Sequence, residues 1–351
     1  MKAPHFFLTT AVVLSVAVAT GGTAQAQRPR TDRHVSELAR FLDGVKIAAP
    51  IREQSLSIYP LLVDDVPLLH GTWLTLDEAV SRGTLVISEK GGGSVPVVLV
   101  ENRSRNAYIL LEMGDVIKGG MQTRTVRYDT ILGPGQRLDL EVFCVEAHRW
   151  QGEKTFSAAK ARVPQSIQGQ MRGGAGQSEV WKGVAGNNSS LGAENDTGSL
   201  ERALKSPDVE RKLDAVRRRI VPEIPRGTVG FIFVHGGVAV GAEFFGSEDL
   251  ARAEFPQLLD SYAVDYVILG GSARPTSDNR VAIDYFERVC RAGSQRVKTA
   301  GSGAGIRTQA DGMLGDGVSL DSTLVHYGLQ VERKVQPAQP EVIWPRPEDR
   351  R

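Results

Sequence analysis

The sequence has few cysteines: two among 351 residues, Cys144 and Cys290. Two cysteines cannot form a four-ligand zinc site by themselves, and the six histidines show neither H-x-x-x-H nor H-E-x-x-H spacing. We therefore expect no metal and no cofactor. Export would permit a disulfide, but Cys144 lies in an apolar strand pattern, where free cysteine is commonly buried. The sequence favours two buried thiols, and a Cys144–Cys290 bridge is the alternative.

The sequence also lacks an excess of either charge, since Lys plus Arg number 42 and Asp plus Glu number 41. A balanced chain has no global field that would hold nucleic acid or an acidic membrane, so we expect neither as a partner. After residue 26, no run approaches the roughly 18 apolar residues that a membrane-spanning helix requires. The expected mature protein therefore has no membrane span.

The first 26 residues have the pattern of a secretory signal peptide. Lys2 provides the positive start, residues 6–19 form an uncharged apolar stretch, and Ala24-Gln25-Ala26 is a small-residue cleavage site. We expect a mature chain that begins near Gln27 and is exported, to the periplasm or the extracellular medium. An uncleaved N-terminal anchor is the alternative.

Two segments resemble catalytic motifs but lack the context that those motifs require. Residues 301–305 read Gly-Ser-Gly-Ala-Gly, yet a strand pattern follows, whereas a phosphate-binding loop precedes a helix. Residues 235–237 read His-Gly-Gly, similar to an esterase oxyanion segment, but the chain contains no G-x-S-x-G motif. We interpret both segments as turns, and the sequence names no reaction.

Hydrophobic periodicity predicts an α+β fold with a mainly antiparallel, β-rich core and helices inserted in the second half. Thr75 and Glu78 have the spacing of a capping box at the start of a short helix. The other predicted helices cover residues 34–42, 209–220, 248–266 and 278–291, and the predicted strands cover 55–63, 84–89, 95–101, 108–112, 121–132, 137–146, 228–234, 238–244 and 296–332. We expect strand 95–101 to be buried on both faces, because it is nearly all apolar.

Composition suggests how the chain is divided. Residues 151–206 are rich in Gly, Asn and Ser, which predicts mobile loops around short helices. The final residues contain four prolines and cannot continue regular structure. The predicted divisions are a signal peptide over 1–26, a helical lead-in over 27–50, a single domain over 51–333 and a Pro-rich flexible tail over 334–351.

One carboxylate in the central stretch is unusual. In strand 137–146, Leu138, Leu140, Val142 and Cys144 share a face, and Glu146 is next on that face. A carboxylate at the end of an apolar row needs solvent, hydrogen bonds or an ion pair, because burying it bare costs roughly several kcal/mol. Arg124 and Arg149 are the predicted partners, since a guanidinium binds a carboxylate bidentately.

Four separated blocks carry a resemblance to a known family. The first block is 75–79 with Gly83, and the second is Gly114-Asp115 with Gly119, Gln122, Arg124, 142–146 and Arg149-Trp150. The third block is Val180-Trp181 with Thr197-Gly198 and Leu200. The fourth block is Val229-Gly230, Gly236-Gly237, Phe245-Gly246 and 261–263. In order and spacing they resemble the ARG and rhodanese-phosphatase-associated protein family, named for neighbouring ADP-ribosylglycohydrolase and rhodanese-phosphatase-like proteins. The resemblance covers roughly residues 55–331, and it implies a fold and a genomic neighbourhood rather than an activity.

The chain departs from the family pattern in two places. The family motif resembles G-K-Q-[DN]-R, whereas this chain has Gly120-Met121-Gln122-Thr123-Arg124. If the family lysine and the acidic or amide residue act on a ligand, this protein lacks both. The residue before Arg149 is His148, where the family tends to have glycine.

These residues give one site hypothesis and one structural alternative. In the hypothesis, Gln122, Arg124, Glu146, Arg149 and Trp150 bind a small anionic ligand or a protein partner at the strand ends of the central sheet, and Asp115 and Glu146 are candidate catalytic carboxylates. In the alternative, the same charges form a salt-bridge network that fixes the sheet ends. Cys144 is a weaker candidate nucleophile, because four residues along a strand place His148 about 13 Å away.

Two functions follow from this hypothesis. The leading interpretation is an exported, non-enzymatic protein that binds a ligand or partner through this polar site. The alternative is a hydrolase-like enzyme on a nucleotide- or sugar-derived, ADP-ribose-like substrate, with Asp115 or Glu146 as the base. The sequence leaves the identity of the ligand and the oligomeric state open.

Overall fold

The computed structural model describes residues 31–66, 68–91, 96–269 and 278–332. The predicted signal peptide over 1–26 and the predicted tail over 334–351 lie outside these residues. Within the described part of the chain, no helix combines the length and the apolar character needed to cross a membrane.

Eight α-helices and eighteen strands make up the described fold, which is α+β and rich in strands, as predicted. The helices are α1 (Ser36–Gly44), α2 (Leu76–Ser81), α3 (Gln165–Arg172), α4 (Gln177–Ser190), α5 (Leu200–Leu204), α6 (Pro207–Ile220), α7 (Glu248–Ala263) and α8 (Arg280–Ala292). The strands of the first half are β1 (Val45–Ile47), β2 (Ile51–Glu53), β3 (Leu56–Val63), β4 (Thr72–Leu74), β5 (Leu85–Glu89), β6 (Val97–Asn102), β7 (Ala107–Leu111), β8 (Asp115–Gly119), β9 (Arg124–Val126), β10 (Thr130–Leu132), β11 (Arg137–Cys144) and β12 (Phe156–Arg162). The strands of the second half are β13 (Gly230–His235), β14 (Val238–Phe245), β15 (Gln295–Val297), β16 (Ala304–Ala310), β17 (Met313–Leu320) and β18 (Thr323–Val331).

The largest sheet joins the two ends of the described chain. Its nine antiparallel strands follow the order β1-β3-β13-β14-β18-β17-β16-β15, and β2 also pairs with β3. Leu61 of β3 lies opposite Gly230 of β13, so the first strands are completed by strands from the second half. The predicted hairpin at 228–244 is confirmed as β13–β14.

Both faces of this sheet are covered, and β13 shows how. Phe231 and Phe233 point into the core shared with α6 and α7, whereas Ile232 and Val234 point into the core shared with α1 and α8. Because side chains alternate across a strand, a strand buried on two sides must be apolar throughout. Phe233 stacks on Tyr262 of α7 with ring centroids 3.6 Å apart, which fixes that helix against the sheet.

Two smaller sheets come from the first half. A six-stranded antiparallel sheet has the order β12-β8-β9-β11-β6-β5, and a three-stranded sheet has the order β10-β7-β4 with β4 parallel to β7. The capping box predicted at Thr75 and Glu78 starts α2, with both reciprocal hydrogen bonds formed. Helix α2 packs on these sheets through Leu76 and Ala79, which are buried.

Several local predictions were wrong. The single strand over 121–132 is two strands, β9 and β10, which pair in different sheets. Strand β6 is not buried on both faces, since its residues alternate between buried and partly exposed. The short helices expected within 151–206 are present as α3 to α5, but the segment also holds β12, and α4 continues through Gly183 and Gly186, where a mobile loop was expected. The lead-in over 27–50 also contributes β1 to the largest sheet.

Candidate functional site

The sequence-predicted binding residues meet at one end of the six-stranded sheet. We call this group the rim cluster: Glu89, Gln122, Thr123, Arg124, Cys144, Glu146 and Arg149. The turn between β8 and β9 brings it together, and this turn requires glycine at Gly120. There φ is +52°, and an added Cβ would lie 2.1 Å from the Phe156 ring.

Arg124 lies at the centre of the rim cluster and has no exposed surface. Its Nη1 donates to Gln122 Oε1 at 2.9 Å and to Cys144 Sγ at 2.7 Å. Its Nη2 lies 3.7 Å from Glu89 Oε1. Arg124 therefore pairs with Glu89 rather than with Glu146, which corrects that part of the sequence interpretation.

Glu146 is buried and has the arginine partner expected at Arg149. Glu146 Oε2 accepts hydrogen bonds from Arg149 Nε at 2.9 Å and Nη2 at 2.8 Å, and from Thr123 N at 2.9 Å and Oγ1 at 2.8 Å. Burial acts to raise the pKa of Glu146, but the hydrogen bonds from Arg149 and Thr123 outweigh it and lower the pKa to about 2. Glu146 is therefore fully ionised at neutral pH and is a weak general base.

Glu146→Gln is expected to lower the free energy of unfolding by about 1.5–3 kcal/mol at pH 7, because charge-assisted hydrogen bonds become neutral ones. A carboxylate with a lowered pKa stabilises the fold above its unfolded pKa of about 4.5 and loses this effect as pH falls through about 2. The difference between wild type and variant should therefore narrow below about pH 4.5. Urea unfolding at pH 7, 5 and 3.5 measures it, with exposed Glu153→Gln as the control. A difference that stays constant across this range would contradict the assignment.

Both cysteines are buried free thiols, as favoured from the sequence. Burial raises the pKa of Cys144 to about 11 and that of Cys290 to about 12. Since the thiolate is the reactive form, neither side chain is activated as a nucleophile. We expect no labelling by a thiol reagent in the native protein and two labelled thiols per chain after unfolding. Rapid labelling of native Cys144 would overturn this expectation.

Asp115, the other candidate catalytic carboxylate, lies at the opposite end of the same sheet. Gly114 N–H bonds to Val126 O at one end of β9, whereas Thr123 N–H bonds to Glu146 at the other. The three residues between these points span about 10 Å of strand. The structure therefore separates Asp115 and Glu146 into two distinct polar groups.

Asp115 belongs to a larger buried group that we call the central network: Glu112, Asp115, Asp129, Arg162, Arg172, Glu243, Glu254, Asp316 and His326. Arg162 Nη1 donates to Glu112 Oε2 at 2.8 Å, and its Nη2 donates to Asp115 Oδ1 at 2.9 Å and to Glu254 Oε2 at 2.8 Å. Burial raises the pKa of Asp115 to about 7 against the opposing charge of Arg162, and the charge of Glu112 adds to the rise. Burial and the charges of Glu112 and Asp115 raise the pKa of Glu254 well above its ordinary value, although Arg162 acts to lower it.

His326 extends the central network into the largest sheet. Its Nδ1 lies 2.6 Å from Asp129 Oδ2, and its Nε2 lies 3.3 Å from both Glu112 Oε2 and Glu243 Oε2. Burial alone would lower the pKa of His326, but the charges of Glu112 and Asp129 raise it well above the ordinary value. The same contact lowers the pKa of Asp129 against the effect of burial. His326 is therefore a cation held among three carboxylates.

Arg172 is the third cation of the network, and its side chain is also buried. Arg172 Nε donates to Asp316 Oδ1 at 2.7 Å. Burial raises the pKa of Asp316 to about 6, despite the opposing charge of Arg172. Among the described residues, no group of His, Cys, Asp and Glu side chains has the arrangement of a metal site.

Most of the central network was missed from the sequence, although a signal was present. Glu243, Asp316 and His326 each interrupt an apolar strand. Like Glu146, an ionisable side chain on an apolar face needs solvent, hydrogen bonds or an ion pair, so these three residues signal a polar group. Arg162 carries no such signal, since it ends a strand that the sequence did not predict.

Two adjoining clefts open beside the central network, and we call them the Tyr128 clefts. One has a volume of about 140 Å³ and is lined by Asp129 and Lys298 among others; the second has about 170 Å³. Both are lined by Tyr128, Arg307 and Asp316. The Arg307 guanidinium lies 5.4 Å from the centre of the Tyr128 ring, between the two openings.

Comparison with known proteins supports the family resemblance. The sequence profile of the ARG and Rhodanese-Phosphatase-superfamily-associated Protein domain matches residues 44–329, which is most of the chain. The chain belongs to this family. No curated protein and no solved structure matches it.

The two residues that depart from the motif at 120–124, Met121 and Thr123, both contact carboxylates of the rim cluster. Met121 N–H donates to Glu89 Oε1 at 2.7 Å, so this backbone contact does not depend on the side chain at position 121. Thr123 contributes a hydroxyl that donates to Glu146, a bond that an ionised acidic residue at that position could not make. The departures therefore suit the closed, ion-paired arrangement of this member's rim cluster.

Proposed function

We propose that this protein is an exported, non-enzymatic binding protein whose ligand is a small hydrophilic anion held in the Tyr128 clefts. Export is supported by the leader pattern of residues 1–26. The ligand class is supported by the charges that line the clefts. The sequence also suggested a small anionic ligand, but the principal site proposed here is the Tyr128 clefts rather than the rim cluster.

The observation that carries the proposal is a pair of cations without carboxylate partners. Arg307 and Lys298 are exposed and line a cleft, and neither forms an ion pair with any residue that the structure describes. Most other cleft-lining charges are paired: Asp129 with His326 and Asp316 with Arg172. An anion would neutralise the positive charges of Arg307 and Lys298. The ionised Asp129 would accept hydrogen bonds from hydroxyl or amine groups of that ligand.

The rim cluster is less open to a ligand. Arg124 and Glu146 are enclosed, whereas Trp150 is 46% exposed and the Arg149 side chain 25%. Among the predicted binding residues, Arg149 and Trp150 are therefore the most accessible to a ligand. The binding role of Gln122, Arg124, Glu146, Arg149 and Trp150 stays a prediction, and the experiment below includes it.

Thermal-shift measurements with inorganic phosphate, sugar phosphates, nucleotides and neutral sugars test the proposal. A ligand stabilises the folded state by mass action, by about 2.7 kcal/mol at a hundredfold excess over Kd. We expect stabilisation by at least one phosphorylated compound, its loss in Arg307→Ala and its retention in Arg218→Ala, which removes an exposed arginine on α6. A shift that survives Arg307→Ala but disappears in Arg149→Ala would return the site to the rim cluster. Absence of any shift by anions would refute anion binding.

A hydrolase-like enzyme on a nucleotide- or sugar-derived substrate is the second proposal, and one observation favours it. Asp316 lines both Tyr128 clefts, and its pKa of about 6 suits a general base near neutral pH. Asp115 has a suitable pKa, but the space beside it and Glu254 is too small for a water molecule. Product analysis after incubation with ADP-ribose and sugar phosphates, repeated on Asp316→Asn, separates an enzyme from a binding protein.

A further inference from the structure

The central network contains more acidic than basic groups. Six carboxyl groups, those of Glu112, Asp115, Asp129, Glu243, Glu254 and Asp316, face three cations, Arg162, Arg172 and His326. The side chains of all nine are at most 10% exposed. Full ionisation would leave excess negative charge in an enclosed region, and each such buried charge costs roughly several kcal/mol.

The excess is concentrated around Arg162. Three carboxyl groups share its two terminal nitrogens, and Arg162 Nη2 alone serves both Asp115 and Glu254. Asp115 Oδ2 accepts the N–H of Glu112 at 2.9 Å. Glu112 Oε1 and Glu254 Oε1 are buried and have no hydrogen-bond partner among the described residues. Each of these oxygens has a position for a proton.

We propose that Glu112, Asp115 and Glu254 form a buried proton-binding site around Arg162, which holds one proton at neutral pH and ties the packing of α7 on the six-stranded sheet to pH. Glu254 comes from α7, Arg162 ends β12, and Asp115 begins β8, so the site joins three elements. The raised pKa values of Glu254 and Asp115 have the sign that this site requires. When the proton leaves, three carboxylates share one guanidinium, and the repulsion separates α7 from the sheet.

The charged groups that face the site do not remove the excess. On the inner side, His326 and Asp129 lie beside Glu112, Glu243 lies beside His326, and Arg172 and Asp316 lie beyond them. On the outer side lie Asp77, Lys160 and Lys205. His326 compensates part of the charge of Glu112 but is itself held by Asp129. Asp77 adds a further carboxyl group, whose side chain bonds to Gln257 of α7.

The direction of the pH effect follows from the sign of the shifts. A carboxyl group whose pKa is raised on folding binds its proton more tightly in the folded state. Its contribution is fully present below the unfolded pKa of about 4 and is lost as pH rises through about 7. The unfolding equilibrium constant therefore rises about tenfold per pH unit for each proton that only the folded state holds.

The first test compares denaturant unfolding of wild type and Glu254→Gln between pH 5 and 6.5, where the folded state holds a proton that the unfolded state has released. Glutamine keeps an oxygen for Arg162 but cannot ionise. We expect the variant to lose about one factor of ten per pH unit from the pH dependence, whereas Glu287→Gln, on the exposed face of α8, keeps the wild-type slope. An unchanged slope in Glu254→Gln would overturn the proposal.

A second measurement keeps the proposal testable if Glu254→Gln does not fold. Infrared spectroscopy of the folded wild type at pH 7 should show the C=O band of a protonated carboxylic acid, which exposed carboxylates do not give at that pH. The band should disappear reversibly as pH is raised to 9. Its absence at pH 7 would overturn the proposal independently of any variant.

Discussion

Arg162→Met should lower the free energy of unfolding by about 3–5 kcal/mol at pH 7, because it leaves buried carboxylates without their cation. Glu112, Asp115 and Glu254 would then face one another in an enclosed region with only His326 nearby. The loss should be smaller at pH 5, where protonation of the carboxyl groups removes the repulsion. Denaturant unfolding at both pH values measures the effect.

Arg217 provides a matched control for this prediction. It also contacts three carboxylates, those of Glu210, Asp214 and Asp260, but its side chain is 21% exposed and lies at the surface of α6. Surface ion pairs contribute little, so Arg217→Met should cost about 1 kcal/mol. Equal losses for the two variants would mean that burial does not set the strength of the Arg162 contacts.

Gly303→Ala should destabilise the protein by about 3 kcal/mol. The backbone at this residue is left-handed, with φ of +80°, and an added Cβ would lie 2.0 Å from Ser319 O on the neighbouring strand. A side chain in this conformation costs about 1–2 kcal/mol, and forcing an atom against packed backbone costs about 1–3 kcal/mol. Thermal or chemical unfolding of the purified variant measures the sum.

Gly312→Ala separates the two contributions. Gly312 also has a positive φ, +68°, but nothing lies within 4 Å of an added Cβ. This variant should therefore show only the conformational cost of about 1–2 kcal/mol. If both substitutions are equally destabilising, the close approach of β17 to Gly303 contributes nothing.

Local elements were predictable where one pattern determined them. The capping box at Thr75 and the helix over 209–220 depend on residues within a few positions, and both are present. Pro256 lies inside α7, and the helix continues through it to Ala263. Tertiary contacts override propensity there, since Phe255 stacks on Phe231 with ring centroids 4.3 Å apart.

The polar sites were harder to predict, because they depend on which strands become neighbours. Alternation along the predicted strand 137–146 placed Glu146 on its apolar face, in need of solvent, hydrogen bonds or an ion pair, and Arg149 is close enough in sequence to be a natural partner. Nothing local shows that Glu112 meets Arg162, Glu254 and His326, which come from three distant elements. Asp115 and Glu146 were grouped because both lie near strand ends, but the register of β9 places them at opposite ends.

The pairing of β3 with β13 has a consequence for how the chain acquires its structure. The partner of β3 on this side is encoded about 170 residues later, so one edge of β3 must wait unpaired through nearly half of synthesis. The six-stranded sheet needs no residue beyond 162 and is complete well before then. Such long-range closure slows folding, and a nascent chain that ends before β13 would leave an apolar strand available for aggregation.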